Sequence, residues 1–155
     1  MRDLRKFYIG GEWVAPSGAK TLDVINPATE EPFATIALGT EGDVDRAVKA
    51  AQAAFDGYAA LSREERVALF ERIIEHYMAR FQELAAIISE EMGAPMKLAL
   101  EAQAASGVGH LQTTLAILKE FAFAERRNGY ELMREPIGVV AMITPWNWPA
   151  NQIMC

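Results

Sequence analysis

Cysteine is nearly missing from this sequence. Cys155 is the single one among 155 residues, which excludes a disulfide framework within the chain and fits a reducing compartment. Long apolar runs are missing too: nothing approaches the roughly 20 residues needed to cross a bilayer. The opening Met1-Arg2-Asp3-Leu4-Arg5-Lys6 leads into a short strand-like stretch and not into the apolar core of a signal peptide. A cytoplasmic protein is therefore expected. There is no basic block and no acidic tail; the 15 basic and 21 acidic residues are interspersed and leave a net charge of −6. Neither a nucleic acid nor a membrane is indicated as partner. Histidine is scarce, and His76 and His110 sit alone on helical stretches without a second ligand at metal spacing. Both are expected to be structural or exposed. No internal repeat and no low-complexity segment is visible.

What is present describes a globular α/β chain, 51% hydrophobic and 23% charged, long enough for one domain with a core. The first forty residues read as β structure. Phe7-Tyr8-Ile9 and Glu12-Trp13-Val14 flank Gly10-Gly11, a pair suited to the positive φ angles of a tight hairpin. Thr21 to Ile25 and Phe33 to Leu38 are two more extended runs, separated by the turn Asn26-Pro27-Ala28-Thr29.

Three helices are predicted next. Thr40 and Asp43 resemble a capping box ahead of an apolar face built from Val44, Ala47, Val48, Ala51, Phe55 and Tyr58. Ser62 and Glu65 form a closer match, opening one long helix with Leu69, Phe70, Ile73, Tyr77, Phe81, Leu84 and Ile88 on its apolar side. Its charged residues read as a solvated face. Gly93 is placed to end this helix and Pro95 to start the third, from about Met96 to Arg126. Gly107 and Gly109 lie inside the third helix, where close packing or a bend is expected rather than a ligand. Asn128-Gly129 then makes a turn before a strand from Tyr130 to Arg134.

Ile137 to Ile143 is a continuous, largely β-branched apolar run, the pattern of a strand buried on both faces in a parallel sheet. Thr144 to Pro149 follows as a loop, and a helix begins near Ala150. Two features predict that the chain is cut. A single helix from Ser62 would span roughly 45 Å at 1.5 Å per residue, the full width of so small a domain. A strand–loop–helix unit also needs a crossover to a partner strand.

The loop Thr144-Pro145-Trp146-Asn147-Trp148-Pro149 carries the chemistry. Prolines and tryptophans stiffen it around one amide, beyond the carboxyl end of the predicted strand, where α/β folds bind ligands. Read from the residues, Asn147 has two roles open to it. It is well suited to be a helix N-cap, the reading the residues favour, or an amide donor to a developing oxyanion. The tryptophans read as core packing.

A resemblance adds to this. Arg134-Glu135-Pro136-Ile137-Gly138-Val139-Val140, followed by Ile143-Thr144-Pro145-Trp146-Asn147, closely resembles the start of the nucleotide-binding fold of aldehyde dehydrogenases. Phe7 to Trp13 looks like the family's opening hairpin, and Asn26 to Glu31 resembles its Asn-Pro turn. Ser62 to Arg66 and Glu91 to Pro95 match the ends of its long helix. The resemblance implies an N-terminal part of the Rossmann-type cofactor-binding domain in residues 1–120. It implies the start of the oligomerisation arm in 121–135, and the first buried strand with its loop in 136–155. Asn147 would be the side-chain half of an oxyanion hole, acting as a cysteine-bound hemithioacetal forms and collapses by hydride transfer to NAD or NADP. Ile143, Thr144, Pro145 and Trp146, with Asn147, would line the cofactor's path. A monovalent cation, found in some members, would meet the Val24 and Ile25 carbonyls and the Glu91 carboxylate. The full-length enzyme would oxidise an aldehyde to its acid and assemble as a homodimer or homotetramer.

By the same resemblance, the ribose-binding lysine, glycine motif, glutamate base and cysteine nucleophile lie beyond these residues, so this fragment alone would be inactive. Cys155 is not that nucleophile; it falls near a position that often carries a bulky aromatic, and is expected to be a small buried thiol. Ala94 stands where lysine is common, an expected surface change. The alternative function is a non-catalytic oligomerisation or structural module derived from the same fold.

Overall fold

The computed structural model describes all residues, Met1–Cys155. The β-rich start divides into two small sheets. Strands β2 (Phe7–Ile9) and β3 (Glu12–Val14) form the antiparallel hairpin, with Gly10 and Gly11 both at positive φ as the turn requires. Strands β4 (Thr21–Asn26) and β5 (Glu31–Ala37) pair antiparallel around the Asn-Pro turn, where Asn26 Oδ1 accepts from the Ala28 N–H at 2.9 Å. Strand β1 (Arg2–Leu4) adds to the other side of β5 in parallel, giving the order β1-β5-β4.

Helix α1 (Glu41–Ala59) opens with the predicted capping box. The Thr40 hydroxyl accepts from the Asp43 N–H, and the Asp43 carboxylate accepts from the Thr40 N–H at 2.9 Å. The predicted apolar face of α1 is largely uncovered: Val44, Val48 and Tyr58 are exposed and Phe55 is half-buried. Ser62 and Glu65 cap α2 (Arg63–Ala79) in the same reciprocal way.

The single long helix is corrected to two. Arg80, at φ −112° and ψ 13°, leaves the helical region, and α3 (Phe81–Met92) restarts beyond it. The break lets α2 pack on a later helix while α3 turns toward β4 and the core. Neither α2 nor α3, of 17 and 12 residues, reaches the length expected of a single helix from Ser62. Gly93 ends α3 at φ +77°, and a Cβ there would also overlap the Pro27 ring.

The third predicted helix is shorter and less regular than its spacing suggests. It comprises a turn, α4 (Met96–Leu98), a π-helical segment (Ala99–Ala104) and α5 (Ala105–Glu120). Residues predicted as its last turn form strand β6 (Ala124–Arg127), which pairs with β7 (Tyr130–Met133) across Asn128-Gly129. Here an Asn-Gly turn and cross-strand pairing override helical propensity. The hairpin is tied at its base by Arg134, whose guanidinium donates to the Ala122 carbonyl and pairs with Glu125.

The run Ile137 to Ile143 is not a buried strand. It pairs with no strand of the chain, and Ile137 and Ile143 are 94% and 95% exposed. A strand buried on both faces needs neighbours that supply backbone partners and covering helices, and none lies beside it. Val139 to Ala141 instead border a cleft opposite Val48, Gln52 and Phe55 of α1. After the loop comes α6 (Pro149–Met154).

The core is small and built from small residues. Ala85, Ile88, Ala94, Ala99, Ala104 and Ala150 cluster together, flanked by Phe81, Leu84, Met92 and Leu100. It joins α3, the π-helical segment and α6, so it lies directly beneath the Asn147 loop. Ala94 is thus a core residue, correcting the expected surface position: its methyl is buried, and its carbonyl accepts from Ser89 Oγ at 2.7 Å.

Candidate functional site

The Asn147 loop is held from below rather than by its own helix. Trp148, not Asn147, occupies the N-cap position of α6, and no side chain caps that helix. The cap reading of Asn147 is therefore corrected: the residue lies one position before the cap, and its side chain accepts from none of the first N–H groups of α6. The Asn147 carboxamide makes no hydrogen bond within the chain and is exposed, while its backbone carbonyl accepts from Gln103 Nε2 at 3.1 Å. A second strut lies one helical turn on, where His110 Nε2 meets Asn151 Oδ1 at 2.8 Å.

Ile143, Thr144, Pro145 and Trp146 are all exposed, and their backbone groups form no hydrogen bond in the chain. Trp146, 80% exposed, is not core packing; Trp148 is half-buried. The segment thus presents a row of open N–H and C=O groups with a free amide at its end. Such a row can bind a polar ligand through main-chain atoms, and a fixed amide N–H can stabilise developing negative charge.

The Asn-Pro turn comes to the same place. Val24, Pro27, Ile88, Glu91, Trp146 and Pro149 line one cleft of about 520 Å³. Val24 precedes a register shift between β4 and β5, and Ile25 is not among the lining residues. Glu90 is paired with Arg2 at 2.8 Å, whereas the neighbouring Glu91 has no cationic partner. Of the three residues named for a cation, Val24 and Glu91 line this cleft. No group of three or more His, Cys, Asp or Glu side chains that could hold a metal ion occurs in the chain.

Cys155 is exposed, not buried, its thiol 3.7 Å from the Gln152 carbonyl. His76 is exposed on α2, and His110 has the structural role just given. Gln103 was missed by sequence reasoning. Its signal was faint: one amide in the alanine-rich stretch 99–105, at a position whose burial depends on a helical irregularity.

The chain belongs to the aldehyde dehydrogenase family, whose sequence profile matches residues 13–155. A 3-succinoylsemialdehyde-pyridine dehydrogenase from Pseudomonas sp is 49% identical over 154 residues, 99% of this chain and 32% of that protein. The crystal structure of an aldehyde dehydrogenase from Bartonella henselae superposes with a TM-score of 0.96 at 45% identity, over 99% of this chain and 33% of the other. Aldehyde dehydrogenase C from Pseudomonas syringae, a variant complexed with NAD+ and octanal, gives a TM-score of 0.95 at 45% identity, over 97% and 31%. This chain thus spans about a third of the length of the relatives it matches. No helix in it is long and apolar enough to cross a membrane.

Proposed function

We propose that these residues serve as the N-terminal third of an enzyme that oxidises an aldehyde to its carboxylic acid with NAD or NADP. The observation that carries this reading is the Asn147 amide: exposed, unbonded, and relieved of any capping duty by Trp148. The relative complexed with NAD+ and octanal supports the pairing of cofactor and substrate class. Residues Ile143 to Trp146 suit a cofactor bound through main-chain atoms, since those atoms are open.

When bound, the nicotinamide supplies the acceptor for the hydride. The chain's own part is to position and to stabilise. Asn147 donates its amide N–H to the aldehyde oxygen as that oxygen gains negative charge, during attack by a cysteine thiolate supplied from beyond these residues. One donor aimed at such an oxygen is worth about 3–4 kcal/mol. Val24 and Glu91, with the Ile25 carbonyl nearby in sequence, are the groups for a monovalent cation beside the Asn-Pro turn. The β6–β7 hairpin starts the arm through which two or four copies assemble.

The test is a fused protein, with residues 1–155 replacing the matching third of the Pseudomonas 3-succinoylsemialdehyde-pyridine dehydrogenase. NAD-dependent oxidation of that enzyme's aldehyde, lost with Asn147→Ala, is the expected result. A soluble, folded fusion that binds NAD and yet turns over no aldehyde would overturn the proposal.

A further inference from the structure

Gln103 is the largest side chain that is fully buried, at 1% exposure, and it reaches across 44 residues of sequence to the Asn147 carbonyl. Its orientation is fixed by chemistry. The Asn147 carbonyl and the Met92 thioether, at 3.1 and 3.4 Å, can only accept, so both must face the amide nitrogen. Its Oε1 is then left buried with no partner in the chain. A residue kept only to fill space would be methionine or leucine, because an unsatisfied buried acceptor is destabilising.

The backbone around Gln103 is shaped for the same reach. The π-helical segment disturbs the regular ladder, and π-bulges occur frequently at functional sites. The carbonyls there are met by side chains: Ser106 Oγ donates to the Gln103 carbonyl, and the Tyr77 hydroxyl to the Ala104 carbonyl, both at 2.8 Å. Ala99 and Ala104, on either side, are fully buried against the core.

We infer that Gln103 is a positioning residue for Asn147: its buried amide pins the Asn147 carbonyl and thereby aims the free carboxamide at the reacting oxygen. The inference rests on the role given to Asn147 above. Gln103 touches neither substrate nor cofactor, and acts through the peptide it holds.

The test uses Gln103→Met, which keeps the volume and loses the donor, and Gln103→Glu, which keeps the shape and places an acceptor against two acceptors. In the fused enzyme, Gln103→Met should lower kcat about tenfold to a hundredfold, the scale of a misplacement near 1 Å, with the KM for NAD unchanged. Gln103→Glu should be impaired at neutral pH and recover as pH falls, since a protonated carboxyl can again donate to the Asn147 carbonyl. In an Asn147→Ala background, Gln103→Met should cause no further loss. In the 155-residue chain itself, Gln103→Met should broaden or shift the Trp146 and Trp148 indole NMR signals. Normal kcat in Gln103→Met, where Asn147→Ala is impaired, would overturn this inference alone. So would an undiminished further loss in the double variant. Normal kcat in Asn147→Ala would instead overturn the role of Asn147, and this inference with it. Should Gln103→Met not fold, the pH response of Gln103→Glu decides the matter: impairment independent of pH overturns the inference.

Discussion

The ring of Tyr77 lies over the backbone of Gly107, so close that a Cβ at Gly107 would overlap both its hydroxyl and its ring carbons. The glycine clears the path by which the Tyr77 hydroxyl reaches the Ala104 carbonyl. Burial also pushes the Tyr77 phenol above its ordinary pKa, so it remains a donor through the neutral range. Gly107→Ala should therefore destabilise the chain by about 1–3 kcal/mol, the usual cost of overpacking. In a Tyr77→Ala background the same change should be neutral or stabilising, since alanine is the better helix former by about 1 kcal/mol. Urea unfolding of the four variants gives the cycle; additive losses would show that the two residues do not meet.

Asp43 should set part of the acid stability. Its carboxylate, nearly inaccessible, accepts from the Thr40 N–H first of all, then from the Ser17 N–H and the Arg46 guanidinium. These contacts outweigh desolvation and hold its pKa far below the ordinary carboxylate value. A depressed folded pKa means that this stability is complete above the unfolded value of about 3.9 and is lost as pH falls below it. Asp43→Asn should melt lower at pH 7 and show a smaller further drop on acidification. Parallel pH profiles for the two proteins would refute the assignment.

Asn147→Ala should lower kcat of the fused enzyme by about a hundredfold or more and leave NAD affinity nearly unchanged, because an oxyanion donor acts chiefly in the transition state. Its melting temperature should stay close to the parent's, as Trp148 holds the cap position. An earlier melt with normal turnover would point back to capping.

Residues 137–143 should exchange their amide hydrogens as fast as a loop, having no ladder partners. Ile137→Ser should change the stability of this chain by less than about 0.5 kcal/mol, as for surface positions generally. Slow exchange over this run would mean that it pairs in solution.

The 155-residue chain alone should bind no NAD at micromolar levels and show no dehydrogenase activity. A doubly wound fold binds its dinucleotide in a crevice between halves of one sheet, and here the corresponding run pairs with nothing. Calorimetry with NAD checks this, and a micromolar heat signature would overturn it.

Local chemistry made much of this legible from the residues. Both capping boxes, the Gly10-Gly11 hairpin, the Asn-Pro turn and the Gly93 stop form as read, because each depends on a few neighbouring side chains. What escaped the sequence depends on distant groups. The break at Arg80 has no proline or glycine to announce it and follows from what α2 and α3 each pack against. The fate of Ile137 to Ile143 turns on neighbours, not on its own β propensity. The buried positions of Ala94 and Gln103 come from tertiary packing that no local pattern records. At the site, the motif around Asn147 was plain in the sequence, while the residue that holds it was not.

The unpaired run from Ile137 to Ile143 has a chemical cost outside the fold. Seven residues rich in branched side chains, without charge or proline, are the kind of segment that stacks with copies of itself into cross-β assemblies. Its flanks counter that tendency. Arg134, Glu135 and Pro136 stand on one side and Pro145 close behind on the other, charges and rings that interrupt a growing ladder. Pro145, which stiffens the loop that follows, thus also acts as a gatekeeper, limiting how far a second copy of the chain can zip along the run.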